Sequence, residues 1–220
     1  VIFCKKNGKF KMSYIKKNIL IILILILSSC LDADIHIDIK EDGSGESNVK
    51  YTLDNALLSL VDIDLNTKDF GIPITKEQVR SINTDSLKNT GFSKKETEDE
   101  LKAEYGFTFK NIVDMQDINK DVYKVSYAKK DGKAKLNFVL FPGTNSNFVK
   151  ASETNITEDQ KDIIEPILSG HKINYIFNLP RQILSNNIGN LSKDKKTLTY
   201  SLSLDKLISV KDPIILKITY

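Results

Sequence analysis

Leu101, Ala103, Tyr105, Phe107 and Phe109 alternate with Lys102, Glu104, Gly106, Thr108 and Lys110. A period of two sends the two sets to opposite sides of an extended chain, so this stretch reads as a strand with one buried and one wet face. The pattern recurs in residues 35–39, 47–53, 123–127, 134–140, 173–179, 198–204 and 214–220. The long apolar runs of a parallel sheet covered on both faces are missing, so pairing should be mainly antiparallel. Asp42-Gly43-Ser44-Gly45 and Asp131-Gly132 supply hairpin turns. Short helices are expected over Asp54–Val61, from Thr75 past Val79 and Ile82, and over Asp159–Leu168, although Pro166 opposes a long regular helix there. The fold class is therefore α+β: a mainly antiparallel sheet, free to curl, with short helices packed on its apolar face. Ser93–Glu100 is almost wholly polar and reads as an exposed excursion.

The first thirty residues have a different character. Lys16 and Lys17 precede an unbroken aliphatic run, Ile19–Leu27, followed by Ser28, Ser29 and Cys30. A basic segment, a short apolar segment and small residues before a cleavage point make a secretory signal. The run is too short for a hydrocarbon core that needs about 20 residues. Met12 opens a better-proportioned start, so residues 1–11 read as a start-site artefact or an extended basic region. Residues 1–29 hold six lysines and no acid, which leaves 26 basic and 29 acidic residues in 30–220. That balance excludes a basic nucleic-acid binder as the default. The expected division is 1–29 signal peptide, 30–34 modified cysteine and short tether, and 35–220 a single domain. Cys4 and Cys30 are the two cysteines, so no disulfide scaffold is expected.

Leu27-Ser28-Ser29-Cys30 resembles the lipobox of bacterial lipoproteins. The resemblance implies that Cys30 becomes the first mature residue and carries acyl chains such as palmitate, two or more of which anchor stably where one is marginal. The membrane, reached through those chains, is then a partner. The short tether favours the periplasmic leaflet of the cell envelope over display at the cell surface. Further along, Ile35–Leu53, Leu101–Phe109, Ile173–Pro180, Asn186-Asn187-Ile188-Gly189 and Thr197–Leu202 together resemble the LppM-type lipoprotein domain family. That likeness implies an α/β domain beside the envelope that handles lipid or glycolipid. The chain departs from the family pattern at Tyr200, where a tryptophan is usual, and in the polar stretch 93–100. Heavy use of Lys, Asn and Ile resembles spirochaetal, Borrelia-like composition.

Catalytic chemistry is hard to build from these residues. No serine sits in a nucleophile-elbow sequence, and no cofactor motif is present. His171 opens a strand and reads as a strand-edge residue. Asp34, His36 and Asp38 share one face of a strand; metal binding is one reading, and the ordinary polar face of a hairpin is the simpler one. Glu96, Glu98, Asp99 and Glu100 read as a solvated acidic loop. Lys193, Lys195 and Lys196 lie in a polar turn that suits either solubility or anionic headgroups. Tyr105, Phe107, Phe109, Tyr175 and Phe177 should be core, and would line a ligand pocket if the sheet curls over one. The resulting expectation is a membrane-anchored lipoprotein that binds a lipid, glycolipid or other amphiphile without catalysis. The alternative is a structural or protein-interaction lipoprotein of the envelope, with an envelope protein as partner.

Overall fold

The computed structural model describes residues 31–54, 76–98, 100–118, 123–143, 168–207 and 209–220. Eleven strands run in chain order: β1 Leu31–Ile39, β2 Gly45–Asp54, β3 Leu87–Glu96, β4 Glu100–Phe109, β5 Val125–Lys130, β6 Lys133–Phe141, β7 Lys172–Asn178, β8 Ser185–Asn186, β9 Asn190–Leu191, β10 Thr197–Ser203 and β11 Ile214–Thr219. Short helices α1 Lys76–Ser81 and α2 Leu204–Leu207 and a 3-10 helix, Ile112–Asp117, complete the described elements. The class is α+β with mainly antiparallel strands and short helices, as the alternation predicts.

The strands form two sheets, in the orders β3-β4-β2-β1-β7-β10-β9 and β5-β6-β11-β8, and neither closes on itself. Among the described residues every pairing is antiparallel except β1 with β7, which run parallel from Ala33 beside Ile173 to Asp38 beside Asn178. The second sheet takes much of the covering role expected of the helices. Ile37, Val49, Tyr105, Phe107, Phe177 and Leu198 of the first sheet and Leu136, Phe138, Leu216 and Ile218 of the second are buried in one core. Phe138 meets Phe177 edge-to-face across the layers, with ring centroids 5.5 Å apart. The Tyr175 hydroxyl donates to the Leu140 carbonyl oxygen at 3.0 Å. Val79 of α1 and Ile112 and Met115 of the 3-10 helix add to the same core.

Both expected hairpin turns form. Asp131 and Gly132 take the positive φ values, 52° and 74°, that a two-residue turn between twisted strands requires. Two expectations need correction. The first strand opens at Leu31, paired with Leu53, so Leu31–Asp34 is strand and not tether. Asp54 ends β2, and residues 55–61 of the first expected helix lie outside the described residues, as does Asp159–Ile167 of the third. Ser93–Glu96 belongs to β3, an edge strand that pairs with β4 through a bulge between Asn89 and Gly91. The bulge breaks the period of two. Charged, exposed Lys94, Lys95 and Glu96 suit an edge strand, because they discourage pairing with another chain.

Candidate functional site

The five aromatic residues that a curled sheet would turn toward a ligand are packed between the layers. Tyr105, Phe107, Phe109, Tyr175 and Phe177 are each less than 5% exposed. Tyr105 stacks edge-on against Phe107 at 5.7 Å and Tyr51 at 6.3 Å. Burial pushes the Tyr105 and Tyr175 phenols well above their usual pKa, and the neighbouring Tyr123 phenol up to about 12. These hydroxyls stay protonated near neutral pH and serve packing, not acid–base chemistry.

The outer face of the first sheet is polar and cross-linked. The Asn174 amide donates to the Asp34 carboxylate at 2.8 Å and the Ser201 hydroxyl donates to the Asn174 amide oxygen at 2.7 Å. Four residues further along each strand, the Asn178 amide donates to Asp38 at 2.7 Å and the Thr197 hydroxyl to the Asn178 amide oxygen at 2.8 Å. The two ladders staple the parallel β1–β7 pair and its antiparallel neighbour β10. Asp34 and Asp38 are thus engaged by asparagine amides, with half-buried His36 on the row between them. Among the described residues no group of three or more His, Cys, Asp or Glu side chains is placed to hold a metal. His171 is buried just ahead of β7, its Nδ1 3.8 Å from an Asp32 carboxylate oxygen.

An open depression of about 380 Å³ lies on this outer face toward the β3 edge, lined by Asp32, Asp34, Lys50, Lys95, Lys102 and Glu104 among others. Its charges are of both signs and largely matched within the sheet. Lys50 lies 3.5 Å from Glu104, Lys102 2.6 Å from Glu100, and Lys94 2.9 Å from Glu96. Two carboxylates of the expected acidic loop are therefore paired with lysines of their own hairpin; Asp99 lies outside the described residues.

At the other end of the sheet four turns meet. Lys129 Nζ donates to the Glu41 carbonyl oxygen at 3.0 Å, and Arg181 bridges from the Glu41 carboxylate at 2.5 Å to the Gly132 carbonyl oxygen at 2.8 Å. Ile183 N–H donates to Lys195 O at 2.7 Å and Leu179 N–H to Lys196 O at 2.9 Å, which fastens the 179–184 segment to the lysine turn. Lys193, Lys195 and Lys196 are exposed there. The sequence reading missed Arg181, Leu184 and Leu191 at this end. A basic residue after Pro180 was the available signal for Arg181, and nothing in the sequence marks the leucines as exposed.

The Arg181 hydrogen bond and charge hold the Glu41 carboxyl below its usual 4.5. A depressed folded-state pKa contributes stability above the unfolded value and loses it as pH falls through the folded one. Glu41→Gln is therefore expected to melt slightly below the wild type at pH 7, with the gap closing as the pH is lowered past 4.5. Melting curves across that range check it. A gap that persists at low pH would mean that the carboxylate charge is not what joins the turns.

The position of the lysine turn follows from strand pairing. Leu31 opens β1 beside the start of β7, whereas the 192–196 turn precedes Thr197, which pairs with Asn178 at the end of β7. Leu31 and the lysines are thus separated by most of the length of the sheet, roughly 25 Å at about 3.3 Å per residue.

No family model matches the chain, and no curated protein matches it. Among solved structures, the folded domain of the Mycobacterium tuberculosis LppM protein, determined by NMR, is similar with a TM-score of 0.46 and 11% identity, over 86% of this chain and 88% of that one.

Proposed function

We propose that this chain is an acyl-anchored lipoprotein of the bacterial envelope, fixed to its membrane at Cys30, that binds envelope amphiphiles at its surface without catalysis. The lipobox-like Leu27-Ser28-Ser29-Cys30 supports the anchor. The strand that begins at Leu31 supports a domain held close to the bilayer, in keeping with the periplasmic leaflet. The observation that carries the mode of binding is the burial of Tyr105, Phe107, Phe109, Tyr175 and Phe177. These side chains fill the space between two sheets and leave the outer faces and turns to meet a ligand. Lys193, Lys195 and Lys196 are the headgroup contacts in this reading.

A protein that binds at a bilayer surface contacts headgroups, whereas one with an acyl pocket carries a lipid away. After incubation with membrane extract and removal of the membranes, native mass spectrometry of soluble 31–220 is expected to show no one-to-one lipid adduct. A reproducible adduct would overturn surface binding in favour of an enclosed acyl site. The alternative, an envelope protein as partner, would instead show as reproducible crosslinks between exposed lysines of this domain and another protein.

A further inference from the structure

We infer that the segment 181–196 is a docking surface for an anionic bilayer, a second membrane contact at the end of the sheet remote from Cys30. The inference rests on the envelope location proposed above and adds a surface to it. Lys193, Lys195 and Lys196 stand in this segment against one acid, Asp194, while Arg181 is paired with Glu41 of the facing turn. The strand ends and turns around Leu31 (31–32, 52–54, 94–98, 100–102, 170–172 and 203–207) instead carry five basic and six acidic residues. The positive end is thus the one away from the anchor.

Charge alone would suit any polyanion. The leucines choose between partners. Leu184 is 61% and Leu191 38% exposed, and they are the large hydrophobic residues left exposed among the described ones. Both belong to the basic segment. Leu191 adjoins the lysine turn, and Leu184 follows Ile183, whose N–H is bonded to Lys195 O. Lysines beside exposed leucines match a bilayer interface, where the ammonium groups meet headgroups and the aliphatic side chains enter the acyl boundary. A soluble polyanion offers the leucines no apolar medium.

The surface is also preformed. Lys195 takes a φ of 59° and its N–H closes the turn onto Ser192 O at 3.0 Å. The exposed Asp194 carboxylate closes the turn on itself, accepting from the Ser192 hydroxyl and from Lys196 N–H at 3.1 Å. Leu184 is pinned by its N–H to Thr219 O at 2.8 Å. The backbone that carries these side chains therefore needs little further ordering on binding.

The test uses the mature protein reconstituted through its anchor into vesicles of phosphatidylcholine alone or mixed with phosphatidylglycerol, with amine acylation mapped by mass spectrometry. Labelling of Lys193, Lys195 and Lys196 is expected to fall roughly fivefold each in the anionic vesicles, the factor that corresponds to one lysine contact with such a surface. Added salt should restore it. Lys88, on the opposite edge strand, should label equally in both. Equal labelling of the three lysines in both vesicles overturns the inference. Protection by soluble polyphosphate on neutral vesicles, without protection by phosphatidylglycerol, overturns it as well and assigns the surface to a soluble polyanion. The same digest reports whether Cys30 carries acyl chains, so a failure of the anchor is read separately from a failure of this surface.

Discussion

Phe138→Ala is expected to lower the free energy of unfolding by about 3–5 kcal/mol, the range for emptying a fully buried phenylalanine site. Phe138 is 1% exposed. It lies opposite Val125 of β5 and Leu216 of β11, so it is central in its own sheet. Its ring also packs edge-on against Tyr123 at 6.1 Å and Phe177 at 5.5 Å, and Phe177 belongs to the other sheet. Truncation opens a cavity at the junction of both layers, where closely paired strands limit collapse. A domain of this kind has about 5–15 kcal/mol in total, so the variant should unfold at much lower denaturant. Thr108→Ala, on the exposed outer face of β4, serves as the comparison and should stay within about 0.5 kcal/mol. Equal denaturant midpoints for the two variants would mean that the sheets do not share a core.

Gly45→Ala should be nearly as damaging, for the opposite reason. Gly45 opens β2 opposite Ile39 and Phe109 and is inward-facing. A Cβ there would stand 1.9 Å from the Asp38 carbonyl oxygen and 2.7 Å from the Phe109 ring. The first neighbour is backbone and cannot swing aside, so the β1–β2 hairpin itself must move. A loss of about 3 kcal/mol is expected, at the upper end for overpacking. Gly132→Ala sharpens the contrast, because nothing stands within 4 Å of a Cβ there and its φ of 74° is the sole obstacle. That change should cost about 1 kcal/mol. Thermal or denaturant unfolding of the pair checks the order, and a Gly45 variant as stable as the Gly132 variant would contradict the close approach.

Much of the sheet was legible because its outer face is wet. Where β1, β2, β4, β6 and β10 alternate, the polar set marks the outside and the apolar set the core, which is why those strands are readable one by one. Alternation says nothing about partners. The stripe of β6, Ala134-Leu136-Phe138-Leu140, is of the same kind as that of β4, so the sequence could not assign them to different layers. The parallel β1–β7 pair joins segments about 140 residues apart, and its signature is a set of Asp–Asn hydrogen bonds that looks like ordinary surface polarity in sequence. β3 escaped notice because Leu87 alone is buried, Phe92 is half-buried and a bulge separates them. Strands as short as β8 and β9 are too brief to show any period.

The proposed docking surface was less legible for a related reason. Lys193, Lys195 and Lys196 are visible as a basic turn, but their distance from Cys30 depends on the β1–β7–β10 pairing. Leu184 and Leu191 look like core residues until the fold exposes them. In the same way, the sequence shows the aromatics of β4 and β7 as one strand face each, and the fold shows them buried.

The proposed anchor rests on the chemistry of Cys30, and mass spectrometry of the N-terminal peptide of the mature protein, taken from isolated membranes, measures it. The expected peptide begins at Cys30 and carries diacylglyceryl on the sulfur, and a Cys30→Ser chain should lack the modification and leave the membrane fraction. A mature chain that retains the 19–27 aliphatic run, with an unmodified thiol at Cys30, would contradict the account.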